Sequence, residues 1–241
     1  AEKRDMIVLL DLHNYCRRYM NNEHTLIGSN GLTIEDLASF WQAIAKEFST
    51  FKNIYGYGLM NEPHDLAPGT NWFDMAQASI NAIRQVDTNT LIMVGGNDWS
   101  SAERWIEQSD TLKFLKDPAN NLAFEAHVYF DKDASGTYKY SYEEEGCYPE
   151  KGIDRVKPFV EWIKQNNFHG FIGEYGIPDN DPRWNETLDL FLHYLQENGI
   201  NGTYWAAGPW WDTYFMAITP KEGKDRPQTP IVEKYTHTLK K

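Results

Sequence analysis

Short apolar runs alternate with longer amphipathic ones along the whole 241-residue chain. Apolar stretches of four to seven residues with strand composition lie at 6–12, 54–60, 91–94, 122–127, 170–173 and 202–205. Between them, helical periodicity runs over 34–48, 72–86, 153–166 and 184–198, with a shorter helix near 101–108. Thr33 stands three residues before Asp36 and predicts a capped start for the first helix. Thr229 and Pro230 form a cap and first-position pair for a last one. Strands that alternate with helices predict a parallel sheet wrapped by helices, an α/β fold. We find no internal repeat and no low-complexity linker, so the expectation is one domain over 1–241.

The polar residues that interrupt this pattern collect where strands finish: Asp11, His13 and Asn14; Asn61 and Glu62; Asn97 and Asp98; His127 and Tyr129; Glu174 and Tyr175; Trp205. In a parallel (β/α) barrel the carboxyl ends of the strands share one face, so residues distant in sequence converge there. The segment 130–149, rich in Tyr, Gly, Ser and acids, is expected as a functional loop of that face. Six strand and helix units are visible where a TIM barrel has eight, and the first strand begins about six residues from the amino terminus. The expected architecture is therefore an incomplete TIM-barrel-like fold. Its open sheet edges would favour pairing between copies of the chain, a homo-oligomer.

A formal charge of −12, from 35 acidic and 23 basic residues without a basic stripe, excludes nucleic acid as a partner. No run of 18 apolar residues suggests a membrane span, and "AEKRDMIVLLDLH" is not a signal peptide because an acid interrupts its short apolar stretch. Nine tryptophans, fourteen tyrosines and twelve phenylalanines are a heavy aromatic load. Any single ring can simply fill core, but several lie near strand ends, and flat rings suit the apolar faces of sugars. Cys16 and Cys147 are compatible with one disulfide or with two free thiols, and settle no compartment.

The chemistry is carried by "LMNEPH" and "GFIGEYGIP". In each, an apolar strand ends directly on a glutamate, Glu62 or Glu174, which fixes the carboxylate better than a mobile loop would. Taken singly, such a glutamate is usually an exposed strand end or a charge that starts a helix; the pair is more specific than either member. Two carboxylates that flank a sugar linkage can cleave it. One protonates the leaving oxygen, and the other attacks the anomeric carbon at a separation of about 5–5.5 Å, or activates water at about 6.5–9.5 Å. Burial and a negative neighbour would raise one carboxyl relative to the other and so divide the roles. Asn61 is placed to donate to a sugar hydroxyl beside the reacting carbon.

"NEP" and "GEYG" resemble the acid/base and nucleophile motifs of glycoside hydrolase family 5, the retaining cellulases and related enzymes. "LLDLHNY", "GGNDWSSA", "EAHVYFDKDASGT" and "GTYWAAGPWW" resemble further motifs of the same family, in the same order and spacing. The resemblance implies that Glu62 is the general acid/base and Glu174 the nucleophile. His13, Asn61, His127 and Tyr129 would line the subsite where the bond breaks, with Trp205 as its floor. His13 and His127 could instead be buried histidines satisfied by backbone, and Trp210 and Trp211 either stack sugar rings or pack a loop. Asn97, Asp98 and Trp99 are expected to shape the cleft wall. Family members carry an arginine at the end of their second strand near the nucleophile, and Arg4, Arg17 and Arg18 do not match its place.

The resulting expectation is a secreted, endo-acting, retaining β-1,4-glucanase with a polysaccharide (β-glucan) substrate, no cofactor and no metal. Rival readings are the same machinery acting on mannan, xyloglucan or mixed-linkage glucan, and a degenerate barrel that only binds carbohydrate. A metal-dependent hydrolase using His13, His127 and a glutamate is disfavoured, because the short histidine spacing that usually announces zinc is missing.

Overall fold

The computed structural model describes residues 1–20 and 22–236. Its strands are β1 (Val8–Asp11), β2 (Arg17–Met20), β3 (Glu23–Leu26), β4 (Ile54–Gly58), β5 (Leu91–Gly95), β6 (Leu122–His127), β7 (His169–Tyr175) and β8 (Asn201–Tyr204). Its helices are α1 (Ile34–Phe48), α2 (Trp72–Arg84), α3 (Asn97–Ser100), α4 (Trp105–Ser109), α5 (Lys151–Asn166), α6 (Arg183–Glu197) and α7 (Thr229–Lys234). Two compact units divide the chain: Ala1–Glu125 with Ile163–His169, and Ala126–Trp162 with Gly170–Lys241.

In the first unit, β1, β4, β5 and the start of β6 pair in parallel in that order. Helix α1 forms because Thr33 and Asp36 complete a reciprocal capping box, and because Leu37, Trp41 and Ala45, four residues apart, give it one buried stripe. Asn71 caps α2 by accepting from the backbone N–H of Asp74 at 2.9 Å. Each helix also places one indole donor against a strand end. Trp41 Nε1 donates to the carbonyl of Leu59 at 3.0 Å, and Trp72 Nε1 to that of Gly95 at 2.7 Å. A buried carbonyl past the end of a ladder needs a partner, and these fully buried rings supply one while filling the core.

Below the strands, Arg84 forms a two-pronged pair with Asp117, at 2.7 and 2.9 Å, and donates to the carbonyls of Asp87 and Thr90. Burial alone would raise the Asp117 carboxyl. Hydrogen bonds from Arg84 and from the backbone of Asn121 and Ala119 outweigh burial and hold it below the usual carboxylate range. The arrangement fastens the turns that lead into β5 and β6.

In the second unit, β7 and β8 are parallel neighbours. The backbone N–H of Val128, just beyond β6, donates to the carbonyl of Glu174 at 2.9 Å. Residues 128–150 contain no helix or strand, as expected, yet two buried carboxylates organise them. Asp131 accepts from the N–H groups of Gly136, Thr137 and Tyr138, while Glu145 accepts from those of Lys132 and Tyr140. Helix–strand alternation with parallel neighbours in chain order is the connectivity of a (β/α) barrel with six of its eight units.

Several boundaries depart from the sequence expectations. Strand β1 starts at Val8 because its partner β4 starts at Ile54, which leaves Met6 and Ile7 exposed. The β2–β3 hairpin escapes the pattern, since both of its faces are largely polar and only Thr25 is buried. Helix α7 includes Thr229 and has Gln228 at its cap position without a side-chain capping bond, so the Thr–Pro pair lies one step inside the helix. Cys16 and Cys147 are free thiols, and burial pushes the Cys16 thiol up to about 12 against the lowering effect of Arg17.

Two stability outcomes follow. Thr33→Ala should cost about 1 kcal/mol in denaturant unfolding, the usual value of a lost cap. Asp117→Asn leaves Arg84 buried without its charge partner and should cost about 3–5 kcal/mol at pH 7. Because the folded-state value of Asp117 is lowered, its contribution is complete above the ordinary carboxylate range and fades as pH falls through that lowered value. The difference between wild type and Asp117→Asn should therefore shrink in acid, as measured by unfolding at stepped pH.

Candidate active site

The first unit presents one cluster at the ends of β1 and β4. The ladder does not stop with β4: Leu59 N–H donates to Met93 O at 3.0 Å and Asn61 N–H to Leu12 O at 2.9 Å. Asn61 is buried, and its Nδ2 lies 3.3 Å from His13 Nε2. His13 Nδ1 lies 3.1 Å from Asp11 Oδ2. An ionised carboxylate only accepts, so Nδ1 carries the proton, and the single lone pair of Nε2 faces both Asn61 Nδ2 and the Tyr15 hydroxyl, 3.1 Å away. Glu62 follows with φ of 46°, a left-handed backbone that costs on the order of 1–3 kcal/mol for such a residue. Pro63 adds to the constraint by closing the right-handed helical region to the residue before it.

A second strained turn ends β5. Asp98, Trp99 and Ser100 all have positive φ, between 53° and 57°. Gly95 and Gly96 lead into it at close quarters: a Cβ on Gly95 would meet Met60 O at 2.8 Å, and one on Gly96 would meet the Trp105 ring at 2.5 Å. Asp98 pairs with Arg104 at 2.7 Å, and the Trp99 ring stacks on His64 at 4.4 Å between centroids.

The second unit presents another cluster, at the ends of β6, β7 and β8. Glu174 is 8% exposed, and its Oε2 accepts from the Tyr129 hydroxyl at 2.7 Å and lies 3.6 Å from His127 Nδ1. The carbonyl of Tyr129 accepts from Arg155, and a Cβ on Gly136 would meet the Tyr129 ring at 3.0 Å. The Asp131 loop thus packs directly on the phenol that holds Glu174. Just past β8, Trp205 N–H donates to the carbonyl of Tyr175, the last residue of β7, at 2.8 Å, and the indole meets Trp211 edge-on at 4.9 Å. Tyr214 packs on Trp211 at 5.0 Å. Burial, helped by the nearby Glu174 and Asp131 carboxylates and opposed by a bond with Trp205, raises the Tyr214 phenol above its ordinary range. It is a neutral hydroxyl near neutral pH.

The expected residues therefore fall into two bonded groups. His13, Asn61 and Glu62 adjoin at the neighbouring ends of β1 and β4, and His127, Tyr129 and Glu174 at those of β6 and β7. His13 is exposed and held by side chains, not a core histidine satisfied by backbone. Trp211 belongs to the Trp205 and Tyr214 stack, whereas Trp210 is 89% exposed. Sequence reasoning did not single out Tyr15, His64 or Tyr214. Tyr15 and His64 close the strand-end stretches "LLDLHNY" and "LMNEPH", and nearness to those ends was the one usable signal. Nothing local in "PWWDTYF" marked Tyr214.

A protein-family model for cellulase (glycosyl hydrolase family 5) matches residues 1–210. Endo-beta-1,4-glucanase B of Emericella nidulans is 35% identical over 193 residues, which are 78% of this chain and 56% of that protein. A crystal structure of a Pseudomonas stutzeri endoglucanase in complex with cellobiose is 43% identical, with a TM-score of 0.86 over 95% of this chain and 67% of its own. An endo-beta-1,4-glucanase of Xanthomonas axonopodis pv. citri is 34% identical, with a TM-score of 0.84 over 98% of this chain and 76% of its own. The chain spans 56–64% of the length of the first four curated relatives it matches. On the match over 1–210 and these likenesses, the chain belongs to the cellulases of glycosyl hydrolase family 5.

Proposed function

We propose that the chain carries the machinery of a retaining endo-β-1,4-glucanase, with Glu174 as nucleophile and Glu62 as general acid/base. The single observation that carries the reading is the state of Glu174. It is a buried carboxylate on a strand end, with one oxygen held by the Tyr129 hydroxyl at 2.7 Å. A donor fixed on Oε2 holds the carboxylate in one orientation on a rigid strand end, as a nucleophile requires. Family membership and endoglucanase relatives supply the substrate class, since the Pseudomonas stutzeri enzyme was solved with cellobiose.

In the first step Glu174 attacks the anomeric carbon while Glu62 gives its proton to the leaving glycosidic oxygen. A glycosyl ester on Glu174 results. In the second step Glu62, now a carboxylate, takes a proton from water, which attacks the same carbon and frees Glu174. Two inversions return the β configuration. Asn61, oriented through His13 and Asp11, presents its amide beside the reacting sugar. Trp205, braced edge-on by Trp211, offers a ring face to that sugar, and the exposed Trp210 suits a sugar farther along the chain. Secretion agrees with a polymeric substrate that cannot enter a cell. No helix among the described residues is long and apolar enough to cross a membrane.

Glu174→Gln should abolish turnover of a soluble β-1,4-glucan while affinity for cello-oligosaccharides, measured by calorimetry, persists. NMR of the first product formed by the unaltered chain should show the β-anomer; an initial α-anomer would contradict double displacement. Tyr129→Phe removes one hydrogen bond to a charged group, worth about 1.5–3 kcal/mol. Turnover should fall about 10- to 150-fold with KM little changed.

A further inference from the structure

We infer that His64, backed by Trp99, is a positioning residue for the general acid: it holds the Glu62 backbone in the conformation that aims its carboxyl. The inference rests on Glu62 acting as the acid/base.

Glu62 has a left-handed φ of 46°, and Asp65, three residues on, has one of 45°. A turn of this kind relaxes unless something outside the main chain holds it. His64 does so by reaching back two residues: its Nδ1 lies 2.8 Å from the Glu62 carbonyl oxygen. A carbonyl only accepts, so Nδ1–H is the donor and the tautomer is fixed.

The imidazole is in turn held by two rings, and the main chain that carries it by Arg17. The Trp99 indole stacks on it at 4.4 Å with only 16° between the planes. Tyr15 meets it edge-on at 5.5 Å. Arg17 donates through Nη2 to the His64 carbonyl at 2.9 Å and through Nε to the Tyr15 carbonyl at 3.0 Å. Arg17 thus ties both ring-bearing segments together.

Trp99 reaches this position only through the run of three left-handed residues at the end of β5. Three such residues in succession, one of them a tryptophan, are a genuine departure from ordinary backbone. The run is locked by the Asp98–Arg104 pair, by Asn97 N–H donating to Ser109 Oγ, and by Asn97 Nδ2 donating to Gln108 O. One strained turn therefore supports another. The path from Trp99 through His64 to the Glu62 peptide uses a contact at every step.

The test exploits the leaving group. In double displacement, kcat/KM reports the step in which the glycosidic bond first breaks. A phenyl β-cellobioside needs a proton from Glu62 in that step, whereas the 2,4-dinitrophenolate of the matching substrate departs without one. His64→Ala should lower kcat/KM for the phenyl substrate about 10- to 100-fold, the range for a misplaced proton donor. It should leave the dinitrophenyl substrate nearly unchanged. Trp99→Ala should show the same selectivity to a smaller degree. His64→Asn, whose amide can donate to the same carbonyl, should recover much of the phenyl activity.

Equal losses on both substrates, or no loss on either, would overturn the inference, and so would a His64→Asn variant no better than His64→Ala. A selective loss confined to His64→Ala would remove Trp99 from it. Glu62→Gln is the control. If that variant is itself insensitive to the leaving group, the acid/base assignment fails; if it is sensitive and His64→Ala is not, only the positioning role fails.

Discussion

Main-chain hydrogen bonds that continue past the last ladder pair of a strand are the constraint on which the site depends. After β4, Leu59 and Asn61 still donate to Met93 and Leu12, and the Leu59 carbonyl still accepts from Trp41. Around β7, the Glu174 carbonyl accepts from Val128 and the Tyr175 carbonyl from Trp205. A carboxylate in such a position is carried by backbone fixed on both sides. Its side chain loses little further freedom when a substrate arrives, which is what preorganisation requires. Polar backbone at a strand end must find partners in any case. Here those partners also aim the chemistry.

The aromatic load divides along the same line. Trp41, Trp72, Trp105, Trp162 and Trp184 are fully buried, and the first two finish the hydrogen bonding of strand ends. Trp99, Trp205, Trp210 and Trp211 keep exposed area beside polar strand ends. An indole is suited to both duties, since one edge donates while the faces are apolar. The first group stabilises the scaffold, while in the second Trp99 packs on His64 and Trp205 on Trp211. Left-handed backbone occurs near the same ends, at Glu62, Asp65 and Asp98 to Ser100, as it does in several turns elsewhere. Strain at such positions persists only where surrounding contacts over-determine it, and the capped helices and buried indoles behind them supply those contacts.

Much of this was legible in the sequence because it depends on periodicity. The bounds of α1 and β6 match the expected 34–48 and 122–127, and a six-unit parallel fold followed from the alternation alone. The two strand-end glutamates stood out because a buried strand rarely stops on a charge next to asparagine, proline or glycine. What stayed hidden depends on contacts without a period. The β2–β3 hairpin shows no alternation, because neither face is consistently buried. The order within 128–150 comes from Asp131 and Glu145 collecting N–H groups several residues away, which leaves no mark on local hydropathy. His64 reads as an ordinary polar residue after a proline until Trp99, 35 positions later, is found stacked upon it.

The most direct test of the central claim, that Glu174 is the residue the fold prepares for attack, is to trap the intermediate. A 2-deoxy-2-fluoro β-cellobioside bearing a dinitrophenyl leaving group lets the first step proceed and slows the second. Digestion and mass spectrometry of the treated chain should find one fluorocellobiosyl group, as an ester on the peptide that contains Glu174. A label on another residue, or time-dependent inactivation without any covalent sugar, would contradict the account.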